Sequence, residues 1–566
     1  MAAYLERYER WKTENSFDSA TRAELEALDP VRDAKEIEDR FYRDLEFGTG
    51  GLRGVMGAGT NRMNRYTVGR ATAGFGRWLL DTYGEAAKRR GVAVCFDTRN
   101  HSAEFAQTTA DVLSGMGFRV FLHPAARPTP QLSFSVRHLG CVGGVIVTAS
   151  HNPKEYNGYK VYDEHGCQLV PGPAEAVIDR VEAITDFSAI DFSGDPARIE
   201  TVDLTEEFIR AVRAQSRCRD AAAKAALHVV YTPLHGAGFV PVTQALAAEG
   251  FSHVDPVAAQ AVPDGNFPTV VSPNPEDRKA LEMGIAQARE SGADLVLGTD
   301  PDGDRIGIAV KHAGDYRLMT GNQVGALLTD YVLANTKMPA KPALVKTVVT
   351  SELGAEIARK HGAAVFDTLT GFKFIGEKMT QFEAAKAQGD PGRGYDYLFG
   401  YEESYGYLAG THARDKDAVV SALLICEMAA QDKAQGKTLV DRMEELYAEY
   451  GHYLDAQDSF TLKGKDGQEQ IAAMMAALRR NGSPFADTVR AQDFERGVVM
   501  NEAFGPLPAS DVLKYTLADG SWIAVRPSGT EPKIKIYYSV RGENPDAAEA
   551  RLKTLKNTMR SALGLS

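Results

Sequence analysis

Apolar residues fall into two spacings along this chain. The stretches "GVAVCFDT" (91–98), "RVFLHP" (119–124) and "CVGGVIVTAS" (141–150) are short, nearly unbroken apolar runs, as expected of strands buried on both faces. Between the first two lies "AEFAQTTADVLSGMG", whose apolar positions repeat at helical spacing. "ATRAELEALD" (20–29) and "AKEIEDRFYRDLEF" (34–47) also read as helices. The strand–helix rhythm returns around "ALHVVYTPL", "ADLVLGTD", "PALVKTVVTS" and "YDYLFGYEES", which predicts α/β units. The tail has a different texture. "WIAVRP" and "KIKIYYSV" alternate like strands with one exposed face, and "DAAEARLKTLKNTMRSAL" is an amphipathic helix, so a small α+β unit is expected there. Breaks at "SRCRDAAAKAA", "MTGNQ" and "YLDAQDSF" divide the chain into expected domains at 1–221, 222–320, 321–454 and 455–566.

Three apolar runs end in short polar loops: "VGGVIV" in "TASHNP", "DLVLG" in "TDPDGDR", and "YLFG" in "YEESYG". Ligands of α/β sheets bind outside the carboxyl ends of the strands, so these loops are expected to converge on one cleft. In "TDPDGDR", Asp300, Asp302 and Asp304 alternate with Pro301 and Gly303, which exclude a helix. In an extended loop the three carboxylates share a side. Their mutual repulsion calls for a hard divalent cation, Mg²⁺ by ligand count. An EF-hand is excluded, because Arg305 stands where glycine is needed and Lys311 where a bidentate glutamate is needed.

Ser150 is followed by His151. Neighbours in an extended segment point apart, so His151 is not expected to serve Ser150 as a base, and the context lacks a GxSxG elbow. A serine that carries a phosphoryl group beside the metal fits better, with His151 facing the substrate. "EFGTGGLRGVMGAG" places Arg53 among glycines without a dinucleotide fingerprint, in a loop that lets the guanidinium reach a phosphate. "VRPSGTEPKIKIYY" offers Arg526, Ser528, Gly529 and Thr530 as an anion nest or a hairpin turn. Glu402 and Ser404 of "GYEESYG" suit sugar hydroxyls, and no Walker A motif is present.

Composition narrows the class. The 566 residues are 44% hydrophobic and 25% charged, an ordinary globular balance with room for three or four domains. A net charge of −12 disfavours nucleic acid as a partner, while a local Arg/Lys cluster still captures a small anion. No apolar run is long enough to cross a bilayer, and the five cysteines form no CxxC pair, so no membrane partner and a cytoplasmic location are expected.

Taken together, these motifs resemble the α-D-phosphohexomutase superfamily over nearly the whole chain and in the expected order. The opening "LEFGTGGLRGVMGAGTNRMN" is similar to the phosphoglucomutase-2 branch, which also contains phosphopentomutases. The resemblance implies three related α/β domains around a central cleft and a C-terminal domain with a TATA-binding-protein-like fold. It implies an intramolecular phosphotransferase that interconverts glucose 1-phosphate and glucose 6-phosphate, with glucose 1,6-bisphosphate as intermediate and activator. Phosphopentomutase or phosphomannomutase activity is the alternative within the fold, and a non-catalytic phosphosugar-binding protein is the alternative of another class. Ser150 would be phosphorylated, and Mg²⁺ would sit on Asp300, Asp302, Asp304 and the Ser150 phosphate, beside Arg305. Thr370 and Gly371 of "TGFK", Glu402 and Ser404 would contact sugar. Arg526, Ser528, Gly529 and Thr530 would hold the non-reacting phosphate. Lys416 of "ARDKDA" would join His151 and Arg53 in catalysis. The sequence departs from the usual pattern at Phe372, where tryptophan is common, and at Tyr401, where glycine is common. Both positions adjoin the sugar-recognition residues.

Overall fold

The computed structural model describes residues 2–565 except for 49, 463, 500–503 and 529–532. The chain divides into two compact units, Met1–Met319 with Gly406–Ala434, and Thr320–Tyr405 with Gln435–Ser566.

The first unit holds two sheets. One comprises β1 (Leu52–Val55), β2 (Val92–Phe96), β3 (Val120–Leu122), β4 (Gly143–Val147), β5 (Tyr156–Asp163) and β6 (Ile199–Thr201), in the order β1-β5-β4-β2-β3-β6. Strands β4, β2, β3 and β6 run parallel, joined through helices that include Ser102–Gly115 and Thr129–Leu139. The apolar run of β4 is buried along its length and that of β2 as far as Cys95, as expected of strands covered on both faces. β5 returns antiparallel to β4, so the loop joining them, with Ser150, stands at the carboxyl end of β4. The second sheet comprises β7 (His228–Thr232), β8 (His253–Pro256), β9 (Leu295–Thr299), β10 (Ile306–His312) and β11 (Asp315–Met319), in the order β11-β10-β9-β7-β8. Here β9 runs parallel to β7 and antiparallel to β10, and the turn joining β9 to β10 carries the three aspartates.

In the second unit, β12 (Pro342–Thr347), β13 (Ala364–Thr368) and β14 (Asp396–Glu402) form a parallel set in the order β13-β12-β14. Strand β15 (Gly406–Ala409) belongs to the first unit. The C-terminal sheet comprises β16 (His452–Thr461), β17 (Thr488–Asp493), β18 (Leu513–Leu517), β19 (Trp522–Pro527) and β20 (Lys533–Gly542), antiparallel throughout in the order β16-β20-β19-β18-β17. Helix Pro545–Leu563 lays Leu555 and Met559 on the apolar face of this sheet.

Three expectations change. The helix read over 34–47 ends at Phe41, because the chain turns and Leu45 donates its N–H to the Thr60 carbonyl at 2.7 Å. "YLDAQDSF", read as a break, lies within β16, whereas the division between the two units does fall in "MTGNQ", where Thr320 and Gln323 cap each other's backbone groups at a helix start. Tyr401 is a core residue. Strand alternation turns it away from Glu402, and its ring lies against two helix glycines, Gly325 and Gly354.

The Tyr401 packing yields a stability prediction. A Cβ at Gly325 would lie 2.2 Å from the Tyr401 ring. Gly325→Ala should therefore destabilise the protein by about 1–3 kcal/mol, read as a lower thermal midpoint. In a Tyr401→Ala background the same change should cost much less, because the clash is gone. An additive double mutant would contradict this packing.

Candidate active site

Ser150 adopts a left-handed backbone conformation, φ +52°. For a non-glycine residue this costs roughly 1–2 kcal/mol, so the surroundings must hold it. Its N–H donates to Thr148 Oγ1 at 2.9 Å, and its hydroxyl donates to Asp300 Oδ2 at 2.8 Å. The left-handed turn also overturns the expectation about His151. Because Ser150 is not extended, Ser150 Oγ and His151 Nδ1 lie 3.2 Å apart. Burial holds the imidazole well below its ordinary pKa, and Arg305 and Arg53 push it the same way, so the ring is neutral. Its carbonyl accepts a hydrogen bond from the Ser272 hydroxyl at 3.0 Å.

Asp300, Asp302 and Asp304 are buried, with carboxylate oxygens within 4.8 Å of one another. They converge through a tight turn, not the extended loop expected. The Asp300 Oδ1 accepts the backbone N–H groups of Asp304 and Arg305 at 3.1 and 3.0 Å, which folds the loop back on itself. Asp302 Oδ2 accepts from Thr129 Oγ1 and Lys160 Nζ, both at 2.9 Å. Lys416 Nζ lies 3.1 Å from Asp304 Oδ2. Two ammonium groups thus face three carboxylates. Burial, then the charges of Asp302 and Asp304, raise the Asp300 pKa well above its ordinary value. Burial alone would also raise Asp302, but Lys160, a hydrogen bond with Asp300 and Lys416 together outweigh it and hold the Asp302 pKa well below its ordinary value. Asp302 Oδ1 and Asp304 Oδ1 are buried without a hydrogen-bond partner among the described residues. Buried carboxylate oxygens left in this state fit a hard divalent cation.

Arg53 does not sit in a loop. It lies on strand β1, paired across from Gly158, with its guanidinium 3.3 Å from Asn152 Oδ1 in the Ser150 loop. Arg305 donates to Glu276 Oε1 at 2.5 Å. Asp415 accepts from the Tyr162 hydroxyl at 2.7 Å and lies 3.2 Å from Lys416 Nζ. The first unit therefore gathers Ser150, His151, the three aspartates, Arg53, Arg305 and Lys416 around the ends of β4 and β9.

In the second unit, Glu402 ends β14 and its Oε1 accepts the Gly371 N–H at 2.8 Å. That bond brings the Thr370–Gly371 turn beside Glu402, with Ser404 two residues on. Thr370 Oγ1 is buried without a hydrogen-bond partner among the described residues. Arg526 pairs with Lys535 in the β19–β20 hairpin, and the Ser528 N–H donates to the Lys533 carbonyl at 2.7 Å. Gly529 and Thr530 lie outside the described residues.

Sequence reasoning missed Lys160, Thr129 and Glu276. The signal for Lys160 was a single lysine inside the buried strand "NGYKVY". Lys160 and Tyr162 share a face of β5, and both reach carboxylates there. Thr129 and Glu276 carry no comparable mark.

Comparisons with known proteins agree across the chain. Residues 44–187, 206–314 and 320–450 match the three alpha/beta/alpha domains of phosphoglucomutase/phosphomannomutase, and residues 462–554 match the C-terminal domain. The phosphoglucomutase of Staphylococcus haemolyticus (strain JCSC1435) is 35% identical over 520 residues, covering 90% of this chain and 92% of that protein. The phosphoglucomutase of Staphylococcus aureus (strain USA300) is 34% identical over 537 residues, covering 92% and 94%. A crystal structure described as a phosphomannomutase from Thermus thermophilus superposes with a TM-score of 0.66 at 26% identity, covering 91% of this chain and 99% of that one.

The carboxylate cluster generates a prediction. Its raised pKa keeps Asp300 protonated above the pH at which the unfolded carboxyl, near 4, ionises. The metal-free fold therefore loses stability as pH rises from that value through the raised folded one. A bound cation displaces the proton, so Mg²⁺ should raise the thermal midpoint, and more so as pH rises. At a hundredfold excess over Kd the gain is about 2.7 kcal/mol. Asp302→Asn should remove most of this shift. An equal Mg²⁺ shift in wild type and Asp302→Asn would contradict the assignment.

Proposed function

The chain belongs to the phosphoglucomutase/phosphomannomutase family of intramolecular phosphotransferases, and on that basis we propose that it interconverts glucose 1-phosphate and glucose 6-phosphate through a phosphoserine at Ser150. The observation that carries this reading is the 2.8 Å hydrogen bond from the Ser150 hydroxyl to Asp300 within the carboxylate cluster. Its choice of glucose rests on the phosphoglucomutase relatives.

Phospho-Ser150 gives its phosphoryl group to the free hydroxyl of the sugar monophosphate. The resulting glucose 1,6-bisphosphate reorients and returns its other phosphate to Ser150, which makes the bisphosphate both intermediate and activator. Asp300, Asp302 and Asp304, with the Ser150 phosphate, are the residues that would hold Mg²⁺, which when bound neutralises charge on the transferring group. Lys160 and Lys416 keep positive charge at the aspartates, and Arg53 and Arg305 flank the Ser150 loop and the metal turn. Neutral His151 accepts the proton that the attacking sugar hydroxyl loses, and Lys416 is the second proton-transfer group. In the second unit, Thr370, Gly371, Glu402 and Ser404 contact sugar hydroxyls. Arg526 and Ser528, with Gly529 and Thr530, hold the non-reacting phosphate.

Two predictions test this reading. Ser150→Ala should abolish isomerisation with the fold intact, and glucose 1,6-bisphosphate should phosphorylate wild type at Ser150, detected by peptide mass. Turnover above trace in Ser150→Ala would sink the covalent role. A coupled assay with glucose, mannose and ribose 1-phosphates then ranks the sugars, and a higher kcat/KM for mannose or ribose 1-phosphate would replace glucose in the proposal.

Arg526→Ala should weaken binding of the non-reacting phosphate. A charge-assisted hydrogen bond contributes about 1.5–3 kcal/mol, so KM should rise roughly ten- to a hundredfold while Ser150 still accepts phosphate from the bisphosphate. An unchanged KM would place the second phosphate elsewhere.

A further inference from the structure

Strand β2 ends at Phe96 and delivers Asp97 and Arg99 beneath the Ser150 loop. Both are buried. The Arg99 guanidinium donates from Nη2 to the carbonyls of Ser150 and Asn152, both at 2.5 Å. From Nη1 it donates to the carbonyls of Pro153 and Tyr156, at 3.0 and 3.1 Å. Four carbonyls of one short loop thus converge on one side chain. The Phe267 ring covers the guanidinium, 5.0 Å from ring centre to Cζ.

Asp97 completes the arrangement. Its carboxylate accepts the Arg99 N–H at 3.0 Å, the Ser102 hydroxyl at 2.7 Å and the Thr148 hydroxyl at 2.6 Å. It also lies 3.4 Å from Arg99 Nε. Thr148 Oγ1 in turn accepts the Ser150 N–H at 2.9 Å.

Ser150 is therefore gripped on both sides of its Cα. The amide plane before it is fixed through Thr148, and the plane after it through Arg99. Those two planes define φ and ψ, and with them the direction of the Cα–Cβ bond, from which the Oγ reaches Asp300. The unfavourable left-handed value at Ser150 persists because both planes are held. Only a planar fork with several donors spans these carbonyls at once, and an ammonium on a flexible stem does not.

We propose that Arg99, oriented by Asp97 and assisted by Thr148, is a positioning residue that locks the left-handed turn at Ser150 and so aims its hydroxyl at the metal-binding turn and the substrate. The proposal rests on the reading of Ser150 as the phosphoryl carrier. Arg99 acts on transfer to and from Ser150, not on capture of the sugar. Its loss should lower kcat and leave KM nearly unchanged.

The test compares Arg99→Gln, Arg99→Lys and Thr148→Val with wild type. The readouts are kcat, KM, the thermal shift with Mg²⁺, and the rate at which glucose 1,6-bisphosphate phosphorylates Ser150. In Arg99→Gln, kcat and the phosphorylation rate should fall together, by roughly a hundredfold for a misaimed nucleophile. KM should stay within about threefold, and the Mg²⁺ shift should persist, since the aspartates are untouched. Arg99→Lys should recover part of the loss, and Thr148→Val should lose about tenfold in kcat. Wild-type kcat in folded Arg99→Gln overturns the proposal. So does a loss carried by KM. If Arg99→Gln does not fold, Thr148→Val decides, and an unchanged kcat there overturns the proposal. No phosphate on wild-type Ser150 sinks the parent reading and this one with it. Phosphorylation of Arg99→Gln at the wild-type rate sinks this one alone.

Discussion

Three carboxylates are buried within reach of one another in the first unit, and much of the surrounding structure answers that single electrostatic demand. Desolvation and mutual repulsion would otherwise open the turn. Lys160 and Lys416 each reach it from a different strand or loop, and each is itself buried or nearly so. Asp415 and Tyr162 then hold the lysine side of the cluster. The third carboxylate, Asp300, has its pKa pushed well above the ordinary value by burial and by Asp302 and Asp304, and it also accepts the Ser150 hydroxyl. The feature that makes the site costly to fold is therefore also the one that ties Ser150 to it.

A second cost is conformational. Ser150, Leu234 and His235 are all left-handed without being glycine. Leu234 and His235 belong to the loop after β7, which grips the aspartate turn: Ala237 donates its N–H to the Pro301 carbonyl at 2.8 Å. Gly236 is required there, because a Cβ would lie 2.5 Å from the Pro301 Cα. Strained backbone thus surrounds both loops that meet at the Ser150–Asp300 bond, and each strained position is held by buried hydrogen bonds.

The sequence made some of this legible and concealed the rest for physical reasons. Apolar runs ending in "TASHNP" and "TDPDGDR" marked β4 and β9 and the loops that follow, because strand burial leaves a strong compositional trace. The aspartates were legible because three carboxylates at alternating positions have few neutral explanations. The Ser150–His151 contact was not, since neighbours point apart only on an extended backbone and the Ser150 φ is +52°. Arg53 was read as a loop residue because glycines flank it, yet Gly51 is there so that β1 can approach the Tyr159 carbonyl, where a Cβ would clash. Partners supplied by distant segments, such as Thr129 for Asp302, leave no local signal.

The same geometry bears on sugar choice. Tyr401 and Phe372 both depart from the common pattern beside residues expected to meet the sugar. Tyr401 points into the core against Gly325 and Gly354, so its identity reflects helix packing. Gly325 and Gly354 are the complement to its bulk, a trade of side-chain volume between strand and helices that leaves Glu402 on the opposite face. Phe372 is buried as well, but at a helix start. It opens the helix Phe372–Ala387 immediately after Gly371, whose N–H is bound by Glu402. Both departures adjoin the same carboxylate, Tyr401 as the chain neighbour of Glu402 and Phe372 through Gly371, whose N–H Glu402 accepts, so the proposed discrimination among sugar phosphates is tested at residues 370–372 and 402–404.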